Sequence, residues 1–308
     1  MSTIKLAIVG VGKIVYDQHV PAIAGNANFT LLATASRNNT IDGVASFPTI
    51  EAMLAAHPEI EAVSLCMPPQ YRYKAAYAAL SAGKHVLMEK PPGATLSEVS
   101  DLKRLAAEKG VTLFATWHSR HAPAVPVMKA FLAEYAPRKV TINWKEDVRQ
   151  WHPNQDWIWQ PGGLGVFDPG INALSIMTEI LPRAVFLRAA ELSFPENREA
   201  PIAADLHFTN ADGLPVEAQF DWRQTGKQSW DIIVETDKGE LRMADGGAKL
   251  SIDGVAQELP PEAEYPSLYS HFADLIQNGK SDVDLSPLRQ IADAFMLGKR
   301  QVVEAFHD

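Results

Sequence analysis

Leu6-Ala7-Ile8-Val9-Gly10-Val11-Gly12-Lys13 decides the fold of this chain. Four consecutive apolar residues, rather than an alternating pattern, describe a strand buried on both faces, as in a parallel sheet. The two glycines let the backbone turn tightly and approach a pyrophosphate, which then sits on the amino terminus of the helix expected from Lys13 onward. Val15 occupies the third small position of that signature, so helix and strand should sit slightly further apart there. Gly10, Gly12, Lys13 and Ile14 are the first candidate dinucleotide contacts.

Moving outward, the pattern repeats. Leu31-Leu32-Ala33-Thr34-Ala35, Ala62-Val63-Ser64-Leu65-Cys66, Val86-Leu87-Met88 and Leu113-Phe114-Ala115-Thr116 are further continuous apolar runs. Helix-forming segments at 49–56, 70–82 and 95–109 separate them. This is the grammar of an α/β Rossmann domain, a doubly wound parallel sheet, over residues 1–120. Beyond residue 120, strand patterns at 185–193, 203–209, 215–222, 229–236, 240–244 and 248–259 follow one another with little helix between them. Asn210-Ala211-Asp212-Gly213 and Asp253-Gly254 mark hairpin turns. Residues 121–308 are therefore expected to form an α+β domain with a large, mostly antiparallel, open-faced sheet, finished by helices near 266–278 and 287–305. An open sheet face suggests that a second copy covers it, as a homo-oligomer, dimer or tetramer.

A chain of 308 residues exceeds one ordinary core, in keeping with two domains. Its net charge of −9 argues against nucleic acid as a partner. Cys66 is the single cysteine, so no internal disulfide exists and a reducing, cytoplasmic compartment is expected. No apolar run of membrane-spanning length and no leader pattern is seen, so no membrane association is expected. No metal is expected either.

Ligands of open α/β sheets bind outside the carboxyl ends of the strands. The second run ends in Ser36-Arg37-Asn38-Asn39, with no carboxylate until Asp42. A hydroxyl and a guanidinium there suit a 2′-phosphate, so NADP should be accepted, and nothing repels NAD. Cys66-Met67-Pro68-Pro69 makes a stiff apolar wall at the next strand end, so Cys66, Pro68 and Pro69 are candidate cofactor contacts. After Met88 comes Glu89-Lys90-Pro91-Pro92, in which the prolines forbid a helix start and hold Lys90 rigidly at a strand's carboxyl end. Glu89 and Lys90 join the cofactor set.

In the second half, Trp144, Trp151, Trp157 and Trp159 fall within sixteen positions, with Glu146, Asp147, Arg149, His152 and Asn154 among them. Indole faces pack on the C–H faces of a pyranose, and carboxylates, amides and imidazoles bond its hydroxyls. Strand alternation puts Trp144 and Glu146 on one face. A glycine-rich run then leads into Asp168-Pro169-Gly170-Ile171-Asn172, read as a helix start with Pro169 at its first position. Asp168 and Asn172 lie one turn apart on that helix.

Gly10-Val11-Gly12-Lys13-Ile14, Glu89-Lys90-Pro91 and Asp168-Pro169-Gly170, in this order and over essentially the whole chain, resemble the glucose–fructose oxidoreductase / inositol dehydrogenase (Gfo/Idh/MocA) family. Asp17-Gln18-His19-Val20-Pro21-Ala22-Ile23, Ala115-Thr116-Trp117-His118-Ser119-Arg120 and Trp144-Lys145-Glu146-Asp147 look more narrowly like its bacterial D-galactose / L-arabinose 1-dehydrogenase branch. That resemblance implies oxidation of the anomeric carbon of an aldose to the lactone by NAD(P)+. It implies Lys90 and Asp168 as catalytic residues, and Asn172, Glu146, His118, Trp151, His152 and Trp230 as substrate contacts. One departure is plain: where much of the family carries histidine and aspartate, this chain has Asn172 and Ser175, and an amide takes no proton near neutrality. Lys90 is then the donor to the developing oxyanion, and Asp168 accepts the proton directly or through Lys90. The alternatives are another sugar or cyclitol dehydrogenase of the family, and a non-catalytic regulator sensing NAD(P) and sugar.

Overall fold

Six strands, β1 (Ile4–Val9), β2 (Phe29–Ala35), β3 (Ala45–Phe47), β4 (Ala62–Leu65), β5 (His85–Met88) and β6 (Leu113–Ala115), pair in the order β3-β2-β1-β4-β5-β6. Every pairing among them is parallel. This is the Rossmann strand order, with its switch point between β1 and β4. The structure is a computed structural model that describes residues 3–307.

The helices of this unit follow from local signals. Residues 13–24 are helical; their middle, Val15–His19, is π-wound, and α1 (Val20–Ala24) continues it. Pro21 explains the widening, because its ring has no N–H and crowds the carbonyl four residues back. The Val20 N–H accordingly reaches the Val15 carbonyl, five residues back. α2 (Ile50–Ala56) and α3 (Pro69–Ser81) follow, and α4 (Leu96–Lys109) opens on a capping box between Thr95 and Glu98.

The second sheet has nine strands. They are β7 (Pro137–Lys145), β8 (Phe186–Pro195), β9 (Ala203–Thr209), β10 (Val216–Asp221), β11 (Ser229–Thr236), β12 (Gly239–Ala244), β13 (Lys249–Ile252), β14 (Val255–Ala256) and β15 (Lys299–Val303). Their order is β14-β13-β12-β11-β7-β10-β9-β8-β15. All pairs are antiparallel except β7 with β10 and β8 with β15. Alternation along β7 buries Val140, Ile142 and Trp144 and leaves their neighbours half-buried or exposed. The helices of this unit are α5 (Ala124–Glu134), the short α6 (Val148–Trp151), α7 (Phe167–Ile180) and a last helix near the carboxyl end, Ser286–Leu297. The expected hairpin at Asn210 forms, with its side-chain oxygen accepting from the Asp212 and Leu214 N–H groups.

The late segments differ from expectation. α8 (Glu264–Gln277) belongs to the first unit, which comprises the residues up to His118 together with Glu264–Asp284. Its Tyr265, Leu268, Tyr269, Phe272 and Ala273 recur at helical spacing and join Leu6, Ile8, Phe29, Leu87 and Phe114 in one core. The run over residues 13–24 is too short to cover this sheet face alone, so the chain returns to finish it. The expected helix over 287–305 is also shorter: α9 (Ser286–Leu297) gives way to β15, whose Val302 and Val303 favour a strand beside β8. The expected single strand over 248–259 is the β13–β14 hairpin, turning at Asp253-Gly254.

α7 approaches the sheet closely at Gly170, where a Cβ would lie 2.7 Å from the Phe220 ring. Gly170→Ala is expected to lower stability by about 1–3 kcal/mol through overpacking, despite alanine's better helix propensity. Thermal unfolding checks this; an unchanged or raised melting temperature would show that Phe220 yields freely.

Candidate active site

The glycine turn after β1 is built as the sequence suggests, though its two glycines serve different ends. Gly10 has φ +87°, and a Cβ there would fall 2.6 Å from the Met67 backbone nitrogen, so the fold itself demands glycine. Gly12 has nothing of this chain within 4 Å of its would-be Cβ. That space is open to a pyrophosphate lying against the backbone. The Gly10 N–H donates to the Ala35 carbonyl at 2.8 Å, the Val11 N–H to Ser36 Oγ at 3.4 Å, and Asn39 Nδ2 to the Val11 carbonyl at 2.8 Å. The first and second strand ends thus form one cradle. Arg37 is exposed there, its guanidinium 5.9 Å from the Tyr71 ring centre, a cation free to meet a phosphate. Lys13 pairs with Asp17, and Ile14 is partly exposed. Pro68 and Pro69 form the start of α3.

Beneath this cradle lies a buried polar network. His19, directed inward by the π-turn, places Nε2 3.0 Å from Glu89 Oε1 and Nδ1 2.7 Å from the Tyr269 hydroxyl. The Tyr265 hydroxyl donates to Glu89 Oε1 at 2.8 Å, and Ser64 Oγ lies 3.1 Å from the Tyr269 hydroxyl. Glu89 Oε2 accepts the backbone N–H of Lys90 at 2.8 Å. Burial works against an ionised Glu89, yet the hydrogen bond and charge of His19, the charge of His118 and the Tyr265 hydroxyl outweigh it and hold the carboxyl well below its usual range. Burial likewise disfavours the imidazolium, but Cys66, Tyr269 and Glu89 around it hold His19 well above its usual value. Both shifts favour the ionised pair, in which both ring nitrogens donate. His118, stacked on Tyr265, places Nδ1 2.6 Å from Glu264 Oε2.

The second unit gathers its own cluster. Glu146, buried just beyond β7, accepts the Trp230 indole N–H on Oε2 at 2.9 Å and the Trp222 N–H on Oε1 at 3.3 Å. His152 Nε2 lies 3.5 Å from Glu146 Oε1 and 3.8 Å from Asp168 Oδ2, so it bridges two buried carboxylates. Its ring packs on Trp222 at 5.3 Å between centres, and Trp159 meets Trp222 edge-on at 5.1 Å. Trp151 and Trp230 meet at 5.1 Å, and Trp151 remains exposed. His152 Nδ1 is buried without a hydrogen-bond partner among the described residues, a group that a hydroxyl or a water would satisfy. Asn172 is half-buried one turn beyond Asp168 on α7.

Residues 4–116 match the oxidoreductase family with an NAD-binding Rossmann fold, Gfo/Idh/MocA. A galactose 1-dehydrogenase from Pseudomonas fluorescens is 46% identical over 309 residues, covering 100% of both chains. The chain belongs to the Gfo/Idh/MocA oxidoreductase family. A crystal structure of a D-galactose-1-dehydrogenase from Rhizobium etli shares 71% identity with a TM-score of 0.96, over 100% of this chain and 99% of that one. A 3-ketoreductase from Actinomadura kijaniata, crystallised with NADP and TDP-benzene, shares the fold at a TM-score of 0.85 and 20% identity, over 98% of this chain and 100% of its own. The protein is an NAD(P)-dependent oxidoreductase acting on CH–OH groups.

Several residues foreseen from sequence take up different duties. The Glu89 carboxylate is turned into the protein against His19, Tyr265 and the Lys90 backbone, not outward to a cofactor. Cys66 is half-buried, its Sγ 3.6 Å from His19 Nε2. Both Glu146 oxygens already serve indole N–H groups, so its first role is to orient Trp222 and Trp230. Asp168 is not the helix cap: α7 begins at Phe167, after Val166. His118 belongs to the first unit, with Glu264 and Tyr265, whereas Glu146, Trp151, His152, Asp168, Asn172 and Trp230 share the second. Trp222 was not foreseen; it stands alone in the sequence, and only the β7–β10 register reveals that it follows the strand beside Glu146.

His19 holds its proton more tightly folded than unfolded. Its stabilisation is complete below an unfolded value of about 6.5 and is lost as pH rises through the raised folded value. Glu89 is the reverse: its contribution is complete above an unfolded value of about 4.3 and is lost as pH falls through the depressed folded value. Glu89→Gln should cost about 3–5 kcal/mol by stranding a buried charge. The gap in melting temperature between wild type and this variant should be widest between about pH 4.3 and 6.5. A gap independent of pH would contradict the ionised pair.

Proposed function

We propose that this protein oxidises C1 of D-galactose, and of L-arabinose, to the lactone. The observation that carries this reading is the 71% identity over the full chain with a D-galactose-1-dehydrogenase of known structure. Supporting it, Asp168, Glu146 and His152 are gathered beside four indoles in one unit. Such a set of polar groups and aromatic faces suits a sugar better than an apolar ligand.

When bound, NAD(P)+ supplies the hydride acceptor. Gly10, Gly12 and the amino end of the following helix hold its pyrophosphate, and Ser36 and Arg37 receive a 2′-phosphate where one is present. Loss of hydride from C1 leaves positive character on carbon while the C1 hydroxyl gives up its proton. Lys90 donates to the oxygen on which negative charge develops. Asp168 accepts the proton, and no histidine is needed because a hemiacetal hydroxyl is more acidic than an ordinary alcohol. Asn172 and His152 bond ring hydroxyls, while Trp151 and Trp230 supply faces for C–H groups. D-Galactose and L-arabinopyranose share an axial C4 hydroxyl, so one site accommodates both.

A single cysteine suits the cytoplasm, and no helix among the described residues is long and apolar enough to cross a membrane. Phe186 and Val302 are exposed on strands of the second sheet, and we infer that a second copy covers them in a dimer or tetramer.

Nicotinamide reduction followed across an aldose panel tests the assignment. Galactose and L-arabinose should react readily and glucose poorly. No reaction with any aldose would remove the enzymatic reading, and equal kcat/KM for glucose and galactose would remove the C4 argument. Lys90→Ala should lower kcat by about 10²–10³-fold while dinucleotide binding persists. Arg37→Ala should weaken NADP+ by about 10–100-fold, the worth of a charge-assisted bond, with little change for NAD+. Equal losses for both would refute the phosphate role.

A further inference from the structure

Arg72 lies in the first turn of α3, and its side chain is fully buried. Nη1 donates to the Glu89 carbonyl at 2.5 Å and also to the Pro91 carbonyl, and Nη2 donates to the Met67 carbonyl. Removing a guanidinium from water is costly, and helix formation does not require it here. What its bonds achieve is local to Lys90. Glu89 and Pro91 are the residues on either side of that lysine. The Glu89 carbonyl and the Lys90 N–H belong to one peptide plane, and the Glu89 carboxylate accepts that N–H at 2.8 Å. Both polar groups of the plane preceding Lys90 are thus held by buried charge, the oxygen by a cation and the nitrogen by an anion. On the far side, Arg72 holds the Pro91 carbonyl and the proline ring limits φ.

The third bond sets the reference. Met67 follows β4 and is the residue against which Gly10 packs so closely that no Cβ fits. One guanidinium therefore ties the strand end that carries Lys90 to the backbone that shapes the glycine turn. We propose that Arg72 is a positioning residue for the reaction: it fixes the backbone of Lys90 relative to the dinucleotide cradle while touching neither substrate nor reacting atoms itself. This rests on the reading of Lys90 as the partner of the developing oxyanion.

A double-mutant cycle separates positioning from simple bracing. Single-turnover reduction of NAD(P)+ by galactose, with enzyme in excess, is measured for wild type, Arg72→Lys, Lys90→Met and the double variant. Arg72→Lys is expected to slow hydride transfer about 30–100-fold, the scale of a 1 Å misplacement, with the NAD(P)H dissociation constant within about threefold of wild type by fluorescence. In the Lys90→Met background the same change should alter the residual rate by less than about threefold. A wild-type rate for Arg72→Lys, or the full loss repeated without Lys90, overturns the proposal. Arg72→Gln, which removes the buried charge, carries the same cycle should the lysine variant not fold. A wild type that oxidises no aldose, or Lys90→Met at wild-type rate, refutes the functional reading instead.

Discussion

The first unit depends on an ionised carboxylate kept away from water. Glu89 sits at the end of β5, where the chain must leave the sheet and present Lys90. Left alone, a buried carboxyl would take up a proton; here His19, Tyr265 and the Lys90 N–H keep it charged. The partners come from three separate regions: the π-turn, the returning helix α8 and the strand end itself. A protonated Glu89 would leave the imidazolium stranded, and a chain without α8 would expose both.

That coupling explains what was legible in the sequence and what was not. The parallel sheet, the glycine turn and the capped helices rest on contacts between near neighbours and on continuous apolar runs, so they are read directly. α8 has a clear apolar period yet joins the first unit, because periodicity reports that a helix has a buried face but not which core receives it. The same limit hid the duties of Glu89 and Glu146. A carboxylate at a strand end looks like a ligand contact; that it serves a histidine 70 positions away, or one indole on another strand and a second just past a strand end, depends on packing alone. Trp222 and Arg72 carried no local pattern at all.

Glu146 and Glu89 illustrate one solution in two places. Buried indole and phenol groups must donate somewhere, and a carboxylate can accept several such bonds at once. Glu146 fixes two indoles and stands beside His152, while Glu89 fixes a tyrosine, an imidazolium and a backbone amide. In neither case does the carboxylate need to react. Its oxygens hold flat, rigid groups at set angles, which a hydrophobic contact, lacking direction, would not do.

Orientation of this kind has a cost, since buried ions rarely stabilise a fold as well as packed apolar side chains would. With Lys90 in the role proposed for it, their retention follows from what an oxyanion requires. Charge develops on the substrate oxygen only briefly, and a donor that must first reorganise forfeits most of its benefit. Four rotatable bonds separate the lysine nitrogen from its Cα, so freedom in the backbone would add to an already flexible side chain. Holding the preceding peptide plane by Glu89 on one edge and Arg72 on the other removes the backbone share of that freedom before substrate arrives. On that proposal, stability given up in burying those charges is recovered as preorganisation at the point where the reaction needs it.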